Sequence, residues 1–296
     1  MYQIEDLNEL KKIIKECGNS ILRFNAQILE NKSRHDLLTK NDIIIEKMII
    51  TKILEKYKGV NIISEESYYD NELIGDTFVI DPIDGTCNFA NDIKLFGIQV
   101  AYFHNNLCLA AFIYLPFQNN MFIAYKGKGC FLNEKRIFVN TNKKSKDGIL
   151  IISDYYDDIN IKIEKQFELV KRLQCFFLKT RQFGAACYDF SLMAQGSALA
   201  YITYYHKLWD IAPGLLIASE AGCVYSNLDG KSFDYDKKGI VVANNSENLS
   251  IILNEYKNIW KNFIQKFLKQ LILYMTFVLK LIVIDLSYIF NYIIVV

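Results

Sequence analysis

The chain has 296 residues, 51% of them hydrophobic, with 14 glycines, three prolines and a formal net charge of +1. That length supports one or two folded domains with a large core, and the low proline and glycine content excludes a disordered or low-complexity chain. The balanced charge excludes the global basic field that draws nucleic acid, so no nucleic-acid partner is expected.

Met1 to Leu10 is acidic and amphipathic. It lacks the basic segment and apolar run of a secretory signal. Leu7 to Phe24 places Leu7, Leu10, Ile13, Ile14, Cys17, Ile21 and Leu22 at helical spacing. Asn31 to His35 reads as a polar loop holding a solvated Lys32. Thr39 then predicts the cap of a second helix, with Asp42 at the third helical position and Ile43, Ile44, Ile45, Met48, Ile49, Ile53 and Leu54 following. Val60 to Ile63 is a short apolar strand leading to Glu65. Phe78 to Ile80 is another, and it ends on Asp81. Pro82 is expected to break that strand, because it has no N–H for a ladder. Asp84, Gly85 and Thr86 come next, so one turn can aim two carboxylates, backbone N–H groups and a hydroxyl at a single point.

A run of antiparallel strands is expected after this turn: Phe96 to Tyr102, Leu107 to Tyr114, Met121 to Tyr125, Cys130 to Leu132 and Ile137 to Val139. His104-Asn105-Asn106 predicts a hairpin turn, with His104 a loop residue without a partner. Thr141 to Gly148 is a charged linker. Beyond it, strands at Ile149 to Ser153, Phe176 to Leu178, Leu199 to Tyr204, Val224-Tyr225 and Ile240 to Val242 alternate with helices at Ile159 to Leu173, Gly184 to Ala194 and Trp209 to Ala221, an α/β pattern. The seven cysteines include no C-x-x-C pair and read as free thiols in a reducing cytoplasm.

Three acidic segments recur in order: Ser64-Glu65-Glu66-Ser67, Asp81-Pro82-Ile83-Asp84-Gly85-Thr86 and Trp209-Asp210-Ile211-Ala212-Pro213-Gly214. Together they resemble the signatures of the inositol monophosphatase family, Mg²⁺-dependent and lithium-sensitive phosphomonoesterases, from about Leu7 to about Asn245. The resemblance implies a layered α-β-α-β-α sandwich of the α/β (α+β) class, as in inositol monophosphatase and fructose-1,6-bisphosphatase, commonly as a homodimer. The domain is expected over residues 1–255, with a metal-site half at about 1–140 and an α/β half at about 149–255.

The resemblance also implies a site. Glu65, Asp81 and the Ile83 carbonyl would hold one Mg²⁺, and Asp81, Asp84 and Asp210 a second, for two or three ions in all. Thr86 and Asp42 would orient the attacking water. Asp84, Gly85, Thr86, Gly184, Ala185 and Asp210 would meet a small phosphorylated metabolite. Glu66 reads as a supporting or solvated residue and Trp209 as packing. Inositol-specific members usually carry a glutamate seven residues before the last aspartate, where this chain has Thr203. The His206-to-Asp210 run is instead similar to relatives acting on 3′-phosphoadenosine 5′-phosphate. The family resemblance as a whole still implies inositol monophosphate as the first substrate, with 3′-phosphoadenosine 5′-phosphate, fructose 1,6-bisphosphate or histidinol phosphate as alternatives, and a non-catalytic metal- or phosphate-binding paralogue as another.

Residues 256–296 form a tail outside this pattern, dense in apolar side chains from Phe267 onward and interrupted by Lys269, Lys280 and Asp285. Three readings of it stand: a membrane-contacting helix, a helix packed on the body or on a dimer partner, or an altered ending from an out-of-frame or read-through event.

Overall fold

A computed structural model of the chain describes residues 1–3, 5–33, 36–68, 72–154, 160–236 and 239–295, with side chains described except at 5, 31–33, 36, 160–162, 262, 263, 266, 267 and 277–295. It divides into two compact units, Met1–Leu253 and Asn254–Val296.

The first unit begins with a short 3-10 turn and helix α1 (Asn8–Ile21), whose Leu10, Ile13, Ile14, Cys17 and Ile21 are buried. Strands β1 (Ile28–Ser33) and β2 (Asp36–Thr39) form an antiparallel pair where a polar loop was expected. The pair was illegible because it shows no apolar alternation: Ile28 and Leu29 are both exposed. The side chain of Lys32 and all of His35 lie outside the described residues.

Helix α2 (Lys40–Lys56) starts as the sequence predicts. The Thr39 side chain accepts the Asp42 N–H, and the Asp42 carboxylate accepts the Thr39 N–H at 2.8 Å. Strands β3 (Asn61–Ser64) and β4 (Asp76–Asp84) are parallel neighbours, and helix α3 (Thr86–Ala90) follows β4. Strands β5 (Gly97–His104), β6 (Leu107–Leu115), β7 (Asn120–Tyr125), β8 (Gly129–Leu132) and β9 (Lys135–Ile137) complete a seven-stranded sheet in sequential order. The β5–β6 turn has positive φ at both Asn105 and Asn106, the backbone that asparagine tolerates best in a tight hairpin. The last strand ends at Ile137, earlier than expected, because the Val139 N–H goes instead to the Ala221 carbonyl.

The second sheet contains β10 (Ile149–Ile152), β11 (Lys179–Arg181), β12 (Ala198–Thr203), β13 (Val224–Asn227) and β14 (Ile240–Ala243), ordered β11-β10-β12-β14-β13. Helices α4 (Asn160–Leu173), α5 (Ala186–Ala194) and α6 (Leu208–Glu220) lie between its strands in sequence. The apolar run Phe176 to Leu178 is not a strand. Its first two N–H groups close the end of α4 on the Leu173 carbonyl, and pairing begins at Lys179.

Alternation along β4 explains the layering. Phe78 and Ile80 face one core cluster with α1 and α2, whereas Val79 faces the other with α5, α6 and inward residues of the second sheet such as Ile151 and Val242. Helices and mixed sheets thus stack as a layered α/β sandwich. Gly214 lets α6 approach α5, since a Cβ there would lie 2.1 Å from the Phe190 ring.

Helix α7 (Ser246–Val295) gives its first turns to the first unit and its remainder to the second. In the second unit Leu268, Leu271, Ile272, Leu273, Tyr274 and Met275 are exposed. Among the described residues no helix is long and apolar enough to cross a membrane. The tail reading beyond residue 276 concerns side chains outside the described set.

Candidate active site

The parallel pairing of β3 with β4 sets Ser64 opposite Ile80, and the Glu65 N–H continues the ladder to the Ile80 carbonyl at 3.3 Å. Glu65 and Asp81 therefore leave adjacent strands at one level. The expectation that Pro82 ends the strand is corrected. β4 runs on to Asp84, with Asp81 paired to Gln99, Asp84 to Gly97, and an irregularity between them. Pro82 falls in that irregularity, where its missing N–H leaves no ladder position empty.

Gly85 follows with φ +87°. A Cβ there would lie 2.9 Å from the Leu95 carbonyl oxygen and 2.9 Å from Ala185 Cβ. Glycine is required on both counts, and its left-handed turn starts α3 with Thr86. The Thr86 hydroxyl lies 3.1 Å from Asp42 Oδ1 and 2.9 Å from the Ile83 carbonyl oxygen, and its single proton serves one of them at a time. Asp42 is fully buried and also receives the Thr39 N–H and hydroxyl.

Asp84 reaches across to the second sheet's half of the unit, where its Oδ2 accepts the Cys187 N–H in the first turn of α5. Burial pushes the Asp84 carboxyl above its ordinary range, and the Cys187 and Ala186 N–H groups pull against that rise. Asp210 occupies the first turn of α6 and accepts the Lys207 N–H at 2.9 Å. Gln99 on β5 donates to the Asp210 carbonyl at 3.4 Å, tying the start of α6 to the first sheet.

These segments enclose a cavity of about 480 Å³ lined by Glu65, Asp81, Ile83, Asp84, Gly85, Thr86, Gly184, Ala185 and Asp210, all the expected ligand and substrate residues except Asp42, which backs Thr86. Asp81 is 1% exposed, and its Oδ1 has no hydrogen-bond partner. Burial first, then the charges of Glu65, Asp84, Asp210 and Asp42, drive its carboxyl well above the usual range. A buried, orphaned carboxylate oxygen among carboxylates fits an all-oxygen site for a hard cation. As they stand, the described His, Cys, Asp and Glu side chains do not draw together in any group of three that could hold an ion.

Several cavity residues were not legible in the sequence. Asp154 and Asp189 line the wall beside Gly184, and Asp189 is 2% exposed with Oδ1 unpartnered. A carboxylate among the mostly apolar residues of α5 was the available signal. Thr203 lines the cavity and donates to the Tyr205 carbonyl at 2.5 Å, a neutral group at the position of interest for inositol. Glu66 also lines the cavity, and Trp209 is buried in the core beside it. All seven cysteines are free, with Cys87 exposed next to Thr86. His104 is not the partnerless loop residue expected. It ends β5 and lies 2.7 Å from Asp76, which also takes hydrogen bonds from Tyr102 and the N-terminal ammonium.

The model of the Inositol monophosphatase family matches residues 5–261. An inositol-1-monophosphatase of Bacillus subtilis is 31% identical over 253 residues, covering 83% of this chain and 94% of the relative. A fructose-1,6-bisphosphatase/inositol-1-monophosphatase of Thermotoga maritima is 29% identical over 237 residues, covering 79% and 89%. Among solved structures, an IMPase of Thermotoga maritima superposes with a TM-score of 0.79 at 22% identity, covering 88% of this chain and 99% of that one.

Proposed function

The chain belongs to the inositol monophosphatase family, and from that premise we propose that it is a Mg²⁺-dependent phosphomonoesterase of small phosphorylated metabolites, with inositol monophosphate as its first substrate. The observation that carries this reading is the meeting of Glu65, Asp81, Asp84 and Asp210, from three distant segments, in one cavity beside the Thr86–Asp42 contact. Glu65, Asp81 and the Ile83 carbonyl would hold one Mg²⁺, and Asp81, Asp84 and Asp210 another. When bound, Mg²⁺ neutralises phosphoryl charge and lowers the pKa of water.

The protein's own groups supply the rest. Thr86 donates to Asp42 and so turns an oxygen lone pair toward the cavity, where it can accept a hydrogen bond from water and hold that water in line with the phosphorus. Phosphate oxygens meet the Gly85 and Thr86 N–H groups, at a turn where no side chain stands between ligand and backbone. Asp84, Gly184, Ala185 and Asp210 face the leaving group. The Thr86–Asp42 contact favours catalysis over a binding-only paralogue, which has no use for a water-orienting pair. Thr203 keeps fructose 1,6-bisphosphate, 3′-phosphoadenosine 5′-phosphate and histidinol phosphate in the substrate set, because it offers no carboxylate to an inositol hydroxyl.

Phosphate release should be measured over these four substrates, with Mg²⁺, with EDTA and with added lithium. Mg²⁺-dependent, lithium-inhibited release from at least one is expected. Folded protein with no release from any of them, or release unaffected by EDTA, would refute the proposal. The homodimer and the cytoplasmic location belong to the same reading; sedimentation of the full chain and cell fractionation test them.

A further inference from the structure

Glu46 lies one turn beyond Asp42 on α2, so the two carboxylates project from one face of the helix. It is 2% exposed, a rare setting for a glutamate unless its oxygens are engaged. They are engaged by the turn after β3. Oε1 accepts the Glu66 N–H at 3.0 Å and the Ser67 N–H at 3.2 Å, and Oε2 accepts the Ser67 hydroxyl. On its other side the same turn is held to β4 through the Glu65 N–H and the Ile80 carbonyl. The backbone that carries Glu65 is thus clamped between a sheet and a buried carboxylate. One helix face fixes two parts of the cavity: Asp42 fixes Thr86, and Glu46 fixes the Glu65 turn.

We propose that Glu46 is a positioning residue for cation binding, acting through the backbone of residues 65–67 to set the direction of the Glu65 carboxylate. Glu46 itself touches neither cation nor substrate. The inference rests on the Mg²⁺-binding reading above. Charge-assisted hydrogen bonds from two N–H groups and a hydroxyl are strong enough to hold a turn against the repulsion among the neighbouring acids. Outer partners that orient a ligand typically contribute about 10–100-fold to metal affinity.

The test is Mg²⁺ titration of the full-length protein by calorimetry, which needs no turnover. The variants are Glu46→Gln, which is isosteric, Glu46→Ala, and Ile53→Val, a core change on the same helix away from the turn. Glu46→Ala is expected to weaken Mg²⁺ binding about 10–100-fold. Glu46→Gln, which keeps one accepting oxygen, should recover part of that loss. At saturating Mg²⁺ both should regain most of kcat. Ile53→Val should lower Tm and leave Mg²⁺ affinity unchanged. If Glu46→Ala fails to fold, Glu46→Gln alone decides. Affinity within twofold of wild type in folded Glu46→Gln overturns the inference and leaves the phosphatase reading intact. Loss of affinity in Ile53→Val equal to that in Glu46→Gln also overturns it, because stability alone would then explain both. Absence of Mg²⁺ binding in the wild type overturns the function and this inference together.

Discussion

Replacing Asp81 by asparagine should stabilise the cation-free protein while abolishing its response to Mg²⁺. Asp81 is 1% exposed, its Oδ1 has no partner, and four other carboxylates bear on it. Leaving a buried polar group unsatisfied costs about 1–3 kcal/mol, more for a charged one. The substituted amide would keep one oxygen, remove the charge and offer N–H donors to the surrounding acids. A gain of about 2 kcal/mol corresponds to a rise in Tm of about 4–8 °C for a unit of this size. In the wild type, Mg²⁺ at about 100 times its dissociation constant adds about 2.7 kcal/mol, or about 5–10 °C on the same scale. Thermal melts by circular dichroism at pH 7.5, with EDTA and with Mg²⁺, read both effects. The sign with pH follows from the raised carboxyl. Folded Asp81 retains a proton at pH values where the unfolded chain has lost it, so acidification favours the wild-type fold and narrows the variant's advantage. A variant that melts below wild type in EDTA, or that keeps the Mg²⁺ shift, would refute the claim that burial and neighbouring acids make Asp81 costly to the fold and that it carries the Mg²⁺ response.

Thr86→Val removes the hydroxyl between Asp42 and the cavity; kcat should fall by about 10²–10⁴ with Mg²⁺ affinity little changed, and a loss under threefold in steady-state assays would rule out the water-orienting role. Gly214→Ala forces a Cβ into the Phe190 ring and should destabilise by about 1–3 kcal/mol, read as a lower urea midpoint; an unchanged midpoint would show that α5 and α6 can separate freely. Burial opposes ionisation of Asp76, but hydrogen bonds from Tyr102, the N-terminal ammonium and His104 outweigh it and hold the carboxyl below its ordinary value. That stability is present above the unfolded carboxyl pKa and disappears as pH falls through the folded one. Asp76→Asn should therefore lower Tm at pH 7, and the loss should shrink as pH falls below the ordinary carboxyl range; a loss that does not shrink on acidification would count against it.

The strand ends were legible because the apolar runs before Glu65 and Asp81 are short and terminate in acid, and their parallel pairing brings those acids level. The start of α2 was legible because Thr39 and Asp42 satisfy each other locally. Pairing partners decided what sequence patterns could not. Pro82 stays in β4 because β5 accommodates it in an irregularity, and β1 pairs with β2 without any apolar signal. Glu46 escaped notice for the same reason. In the sequence it is one charged residue on an amphipathic helix, and only the tertiary fold brings the Glu66 and Ser67 N–H groups to it.

The acids of the cavity differ in what surrounds them. Asp42 sits in the first turn of α2, Asp210 in the first turn of α6, and Asp84 against the first turn of α5. Asp42 and Asp210 accept N–H groups from the residues that cap their helices, and Asp84 accepts the Cys187 N–H, which opposes the rise that burial imposes on Asp84. Asp81 lies inside strand β4, where no helix begins, and strand dipoles largely cancel. It is also the acid that the others crowd. Backbone N–H groups thus reach Asp42, Asp84 and Asp210, whereas Asp81 Oδ1, like Asp189 Oδ1, has no hydrogen-bond partner. On the proposed reading, a cation entering this cavity would gain most from contact with Asp81, and Asp84 and Asp210 would share it from positions their backbone partners already set.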